Sequence, residues 1–256
     1  MEQNILSIND LTISLKKNQR ILLNNINFNV SENDVLSLTG YNGSGKSTLL
    51  KTLAGNITHG RVSDYQIDSG SINFLGENIL EFEDKQLQKY RSQIAYIKQE
   101  DVFPPGASVG FFVEDRLAAA GINYSQFEIK EKIHNFFPKN EEKNITYDTD
   151  PTKLSGGQKK LLSIFLETIS KPNAKLYLID EPLNNLDFKN AGNISNLINQ
   201  IHRNNPTSAI VMVTHCRIIT CINRAIELDR GVITNSNVKY ECHNCYGKPD
   251  DCGMYL

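Results

Sequence analysis

Residues 40–48 read Gly-Tyr-Asn-Gly-Ser-Gly-Lys-Ser-Thr. These types at this spacing can hold phosphate. Gly40, Gly43 and Gly45 let the backbone curl, so that successive N–H groups along Gly40, Asn42, Gly43, Ser44 and Gly45 face an anion. A helix beginning at Lys46 adds the positive end of its dipole. Lys46 then reaches the β- and γ-phosphates of a nucleotide, the Ser47 hydroxyl ligates magnesium, and Thr48 faces the α-phosphate region. The bland alternative is a glycine turn that merely opens a helix. The context favours phosphate binding, because Val35–Leu38 is a short apolar run of the kind that forms a buried strand, stopping just before the glycines.

A second group lies far along the chain. Leu176-Tyr177-Leu178-Ile179 is followed by Asp180 and Glu181. A buried strand delivers both acids to its C-terminal end, where open α/β sheets bind ligands. Asp180 suits magnesium, usually through water, and Glu181 suits accepting a proton from an attacking water, a role contributing about 10²–10⁴-fold. Alone, an apolar strand ending in two acids is a weak signal; beside a phosphate loop it points to ATP hydrolysis with magnesium. Between the two groups, Leu154-Ser155-Gly156-Gly157-Gln158 forms a capping box that opens an amphipathic helix. Two glycines in the first turn weaken a helix. They make sense where something must approach the backbone closely.

Taken together, these motifs resemble an ATP-binding cassette (ABC) ATPase, the nucleotide-binding subunit of an ABC transporter, over about residues 5–233. Gly40–Thr48 is similar to the Walker A loop, Leu154–Gln158 to the family signature, and Leu176–Glu181 to the Walker B strand with its catalytic glutamate. Gln99, after Ile94-Ala95-Tyr96-Ile97-Lys98, resembles the Q-loop glutamine, which shares in catalysis and in holding magnesium. His215 resembles the switch histidine, and Asp187 the D-loop aspartate. The resemblance implies that two cassettes pack head to tail, with Ser155 and Gly157 of one chain donating to the γ-phosphate held by the other. It also implies that ATP joins the halves and hydrolysis releases them.

The sequence departs from the family in places. Leu15-Lys16-Lys17-Asn18 has no aromatic residue to stack on adenine, which predicts weak discrimination between ATP and GTP. Lys159-Lys160-Leu161 follows the signature in place of the more usual glutamine–arginine pair, and Asn184 stands where serine is common. No apolar run approaches the ~20 residues that span a bilayer, and the N-terminus lacks a signal-peptide layout. The expectation is a cytoplasmic protein, peripheral on the inner face of the cell membrane, docking on separate integral membrane transporter subunits. Val102-Phe103-Pro104 and Phe111-Phe112 are candidate contacts there, with a core role for the phenylalanines equally open. The alternative is a soluble ABC ATPase of the iron–sulfur assembly type, faintly suggested by Lys159-Lys160. A third option, a sensor that binds ATP without turnover, is disfavoured by Glu181 and His215.

Stepping from residues to elements, strands alternating with helices predict an α/β fold: a P-loop NTPase core with a mostly parallel sheet and an N-terminal antiparallel β subdomain. Leu11, Ile13 and Leu15 alternate, as do Ile26, Phe28 and Val30, around a polar turn at Lys16–Gln19. Phe112, Leu117, Ile129, Ile133 and Phe136 recur at helical spacing, so an inserted helical subdomain is expected over about 101–165. The ATPase domain is expected over 1–235. Composition agrees with a globular chain: 39% apolar, 22% charged, with 27 basic and 29 acidic residues giving a net charge of −2. That balance gives no support for nucleic-acid binding.

Five cysteines remain, an odd count that argues against a disulfide framework. Cys242 and Cys245 have Cys-x-x-Cys spacing, with Cys252 beyond a Gly-Lys-Pro turn, in a tail over 236–256. These three are candidate zinc ligands, with an iron–sulfur cluster or free thiols as alternatives.

Overall fold

The computed structural model describes residues 3–57, 64–99, 102–137, 144–214 and 218–236. In chain order the elements are β1 (Asn4–Leu15), β2 (Ile21–Ser31), β3 (Val35–Thr39), α1 (Lys46–Leu53), β4 (Tyr65–Phe74), β5 (Glu77–Asn78), α2 (Asp84–Ser92), β6 (Ile94–Ile97), α3 (Val109–Ala119), α4 (Gln126–Phe136), α5 (Gly156–Ser170), β7 (Leu176–Asp180), α6 (Phe188–Asn204), β8 (Ala209–Val213), β9 (Arg224–Asp229) and β10 (Val232–Asn235).

Two sheets form the body. The first is antiparallel, in the order β2-β1-β4-β5. The second runs β10-β9-β3-β8-β7-β6 and is parallel from β9 to β6, with β10 alone antiparallel. The expected α/β class, parallel core and N-terminal antiparallel sheet are all present.

The parallel sheet is apolar on both faces, and its alternation sorts the core into two layers. Leu36, Leu38, Leu176, Leu178, Val211 and Val213 face the layer made with the antiparallel sheet and α1. Val35, Tyr177, Ile179, Ile210 and Met212 face the layer filled by α3 to α6. In that second layer Val113 and Leu117 of α3 and Ile129 and Ile133 of α4 meet Leu162 and Phe165 of α5. The helical insertion thus shares one core with the sheet. Of the two phenylalanines left open between core and docking, Phe112 packs against this layer and stacks edge-on to Phe103 at 5.3 Å, whereas Phe111 is exposed.

The helix starts follow their caps. Ser155 accepts from Gln158 N while the Gln158 side chain accepts from Ser155 N, and Asp187 accepts from Asn190 N at 2.9 Å. Among the described residues no helix is long and apolar enough to cross a membrane.

Candidate active site

The loop between β3 and α1 is built on left-handed backbone. Gly40, Gly43 and Gly45 have φ of 131°, 80° and 106°. At Gly40 a Cβ would come within 2.0 Å of the Leu228 carbonyl, so only glycine fits. At Gly43 the space is open, which leaves φ as the reason for glycine there. Lys46, largely buried, turns back across the loop and donates to the carbonyls of Gly40 at 2.7 Å and Tyr41 at 2.9 Å. Burial lowers its pKa, against the opposing pull of Glu181 and Asp180. Ser44 Oγ is buried with no partner among the described residues.

Asp180 ends β7, and the Ser47 hydroxyl donates to its carboxylate at 3.4 Å. Burial pushes the Asp180 carboxyl above its usual range. The Ser47 hydrogen bond opposes that lift, the Glu181 charge adds to it, and Lys51 and Lys160 oppose it. A hydroxyl beside a carboxylate is an all-oxygen donor set, which suits magnesium. Strand pairing carries one residue further, through Glu181 N to the Val213 carbonyl at 3.0 Å. There the chain turns sharply: Glu181 has φ of 43°, an uncommon conformation for a residue with a side chain. One Glu181 carboxylate oxygen accepts two amides, from Gln99 at 2.8 Å and from Asn184 at 2.9 Å.

A cavity of about 590 Å³ opens over these groups. It is lined by Asn42, Gly43, Gly45, Lys46, Ser47, Thr48 and Glu181, together with Arg20, Ile21, Leu22 and Arg230. Most of the expected nucleotide contacts therefore meet in one place. Ser155 and Gly157, by contrast, start α5 and do not line this cavity. At Gly157 a Cβ would lie 2.6 Å from the Asn190 side chain, so packing against α6 already requires that glycine. Gly156 has nothing within 4 Å of that position.

Sequence reasoning missed part of the cavity lining. Arg20 lies just past the Lys16–Gln19 turn, and Arg230 arrives from a β-turn with φ of 47°. No local pattern marks either one. His215, Cys242, Cys245 and Cys252 lie outside the described residues. Among the described residues no cluster of His, Cys, Asp and Glu is arranged to hold a metal by itself.

A glycine phosphate loop between β3 and α1, facing an Asp–Glu pair at the end of β7, defines a P-loop nucleoside-triphosphatase cassette. A sequence model of the family described as ABC transporter matches residues 23–184. The chain is 30% identical over 226 residues to an ABC transporter ATP-binding protein of Methanocaldococcus jannaschii, covering 87% of this chain and 76% of that one. It is 29% identical over 249 residues to the macrolide export ATP-binding/permease protein MacB of Mannheimia succiniciproducens, covering 94% of this chain but 36% of MacB. The fold matches a solved ATP-binding cassette in a dimeric post-hydrolysis state with ADP and Pi, at 22% identity and TM-score 0.74, over 91% of this chain and 98% of that one. The chain belongs to the ABC transporter family and is an ATP-hydrolysing P-loop NTPase. Neither relative favours the iron–sulfur assembly alternative.

Proposed function

We propose that this chain is the ATPase subunit of a membrane transporter, working as a dimer of cassettes whose ATP-driven closure is coupled to separate membrane-embedded subunits. The observation that carries the reading is the cavity joining the glycine loop, Ser47 and Glu181, with Asp180 hydrogen-bonded to Ser47. The relatives support it: MacB carries ATP-binding and permease functions under one name, and this chain spans about a third of its length. A peripheral position on the inner membrane face follows from that role.

In this reading the loop N–H groups and Lys46 hold the β- and γ-phosphates of ATP; the Lys46 ammonium has a third N–H beyond those given to the carbonyls of Gly40 and Tyr41. Ser47, Asp180 and Gln99 hold magnesium, which when bound neutralises charge on the phosphate oxygens. Glu181 accepts the proton of the attacking water. Both amides, from Gln99 and Asn184, go to one oxygen of this carboxylate, which keeps its second oxygen as an acceptor. The family resemblance assigns His215 a catalytic role beside Glu181. Ser155 and Gly157 face the nucleotide of the partner cassette, which agrees with their place outside this chain's own cavity. At the base end, Arg20, Ile21 and Arg230 take the place of a stacking aromatic residue.

Affinity purification from membranes solubilised in mild detergent tests the reading. Integral membrane subunits should co-purify at defined stoichiometry. Recovery of the chain from the soluble fraction alone, with magnesium-dependent ATPase activity intact, would count against the transporter role.

A further inference from the structure

Lys160 sits near the start of α5 and is only 8% exposed. A buried ammonium is tolerated where acceptors or opposite charge replace its water. Here Nζ donates to two backbone carbonyls on the segment leaving β6: that of Lys98, and that of Gln99 at 2.6 Å. Its charge also acts on Asp180, favouring the ionised carboxylate. The same helix grips β6 at a second level, where the Glu167 carboxylate accepts from Tyr96 N at 3.2 Å. Glu167 is in turn balanced by Arg116 at 3.3 Å and Lys171 at 2.6 Å. From the anchored backbone, the Gln99 side chain reaches Glu181. Through Gln99, hydrogen bonds thus link the helix that opens at Ser155 to the Glu181 carboxylate just past β7.

We propose that Lys160 is a positioning residue for ATP hydrolysis: it ties α5 to the backbone of Gln99 and so fixes where the Gln99 amide stands relative to Glu181. This rests on the roles given above to Gln99 and Glu181. The cationic end matters, because hydrogen bonds from a charged donor are roughly twice as strong as neutral ones. A glutamine at this position would offer a shorter, neutral amide. With the lysine, a displacement of α5 on engagement of Ser155 carries the Gln99 carbonyl with it, so the signature of one cassette acts on the magnesium-side glutamine of the same chain.

The test compares Lys160→Met, which keeps the length and apolar stem, with Lys160→Arg, which keeps the charge. Hydrogen exchange of the full-length, nucleotide-free chain is read in the peptide covering residues 94–99, with β7 and β8 as internal references. Exchange there should rise about tenfold in K160M while the reference strands stay unchanged. ATPase kcat should fall about tenfold with KM for ATP within about twofold. K160R should restore both. Wild-type exchange and kcat in K160M would overturn the proposal, as would equal losses in K160M and K160R, since a general packing defect affects both. Should the wild-type chain fail to hydrolyse ATP, the functional reading fails, while the exchange measurement still decides whether Lys160 holds the Gln99 segment.

Discussion

Glu181 and Asp180 are neighbours with different surroundings, and each predicts a different outcome. Glu181→Gln should keep ATP binding and lower turnover by about 10²–10⁴-fold, the usual contribution of a positioned base. Single-turnover hydrolysis near the wild-type rate would remove Glu181 from that role. Asp180 carries a carboxyl raised by burial. A carboxyl raised on folding contributes stability that is complete below its unfolded pKa and is lost as pH rises through its folded one. Above that raised pKa the nucleotide-free fold therefore bears an ionised Asp180 at a cost. Asp180→Asn should raise Tm at pH 7, with the advantage shrinking as pH falls through the raised folded-state pKa and gone below the ordinary carboxylate range, while magnesium-dependent turnover is lost. Scanning calorimetry at both pH values checks the sign. Arg20 and Arg230 line the cavity, with no ring among the lining residues. Competition binding should show ATP preferred over GTP by less than about 100-fold, or roughly 2.7 kcal/mol. Of these residues, Asp180, Glu181 and the loop were legible in the sequence because each group is contiguous. Arg20 and Arg230 were not, because they are brought together only by the turns that flank β2 and β10.

At the scale of elements, the start of α5 separates two glycines that look alike in sequence. Gly157 is required by Asn190, whose amide is itself held by Asp187 at 2.5 Å. Gly156 has no such neighbour in this chain. Gly156→Ala should leave stability unchanged or raise it by about 0.4–1 kcal/mol. If a partner's nucleotide approaches this backbone, the same change lowers turnover with the fold intact. Gly157→Ala should destabilise by about 1–3 kcal/mol as Asn190 is displaced. Urea unfolding alongside ATPase assays distinguishes the two effects. The elements that sequence reading missed have physical reasons too. In α2 only Leu87 and Tyr90 are buried, too thin a stripe to register as periodic. β4 shows a legible apolar alternation only at Ile72 and Phe74. Its earlier half contains Gly70 at φ 95°, where the strand presses on the backbone of Leu11 and Asn9 and the register with β1 shifts. A glycine beside serines and an aspartate reads as a turn until its partner strand is known. α5 starts where expected because the polar cap at Ser155 is followed by a sustained apolar face, and α6 is built the same way from Asp187.

Across the whole molecule, dimer formation should depend on ATP. Glu181→Gln with ATP and magnesium should elute at twice the mass of the nucleotide-free chain, and a monomer under both conditions would contradict the cassette-dimer reading. The order of the parallel sheet carries one more consequence. β8 lies between β3, which leads to the phosphate loop, and β7, which carries the acids, and it pairs with both. With strands about 4.8 Å apart, the two halves of the site are held at a fixed gauge of roughly 10 Å by a strand that contributes no residue to the cavity lining. That gauge is set by main-chain ladders. Conservative apolar exchanges along Ala209–Val213 can therefore drift while the distance between loop and carboxylates stays the same. An insertion in β8 would instead slip the rungs and throw both halves out of alignment at once.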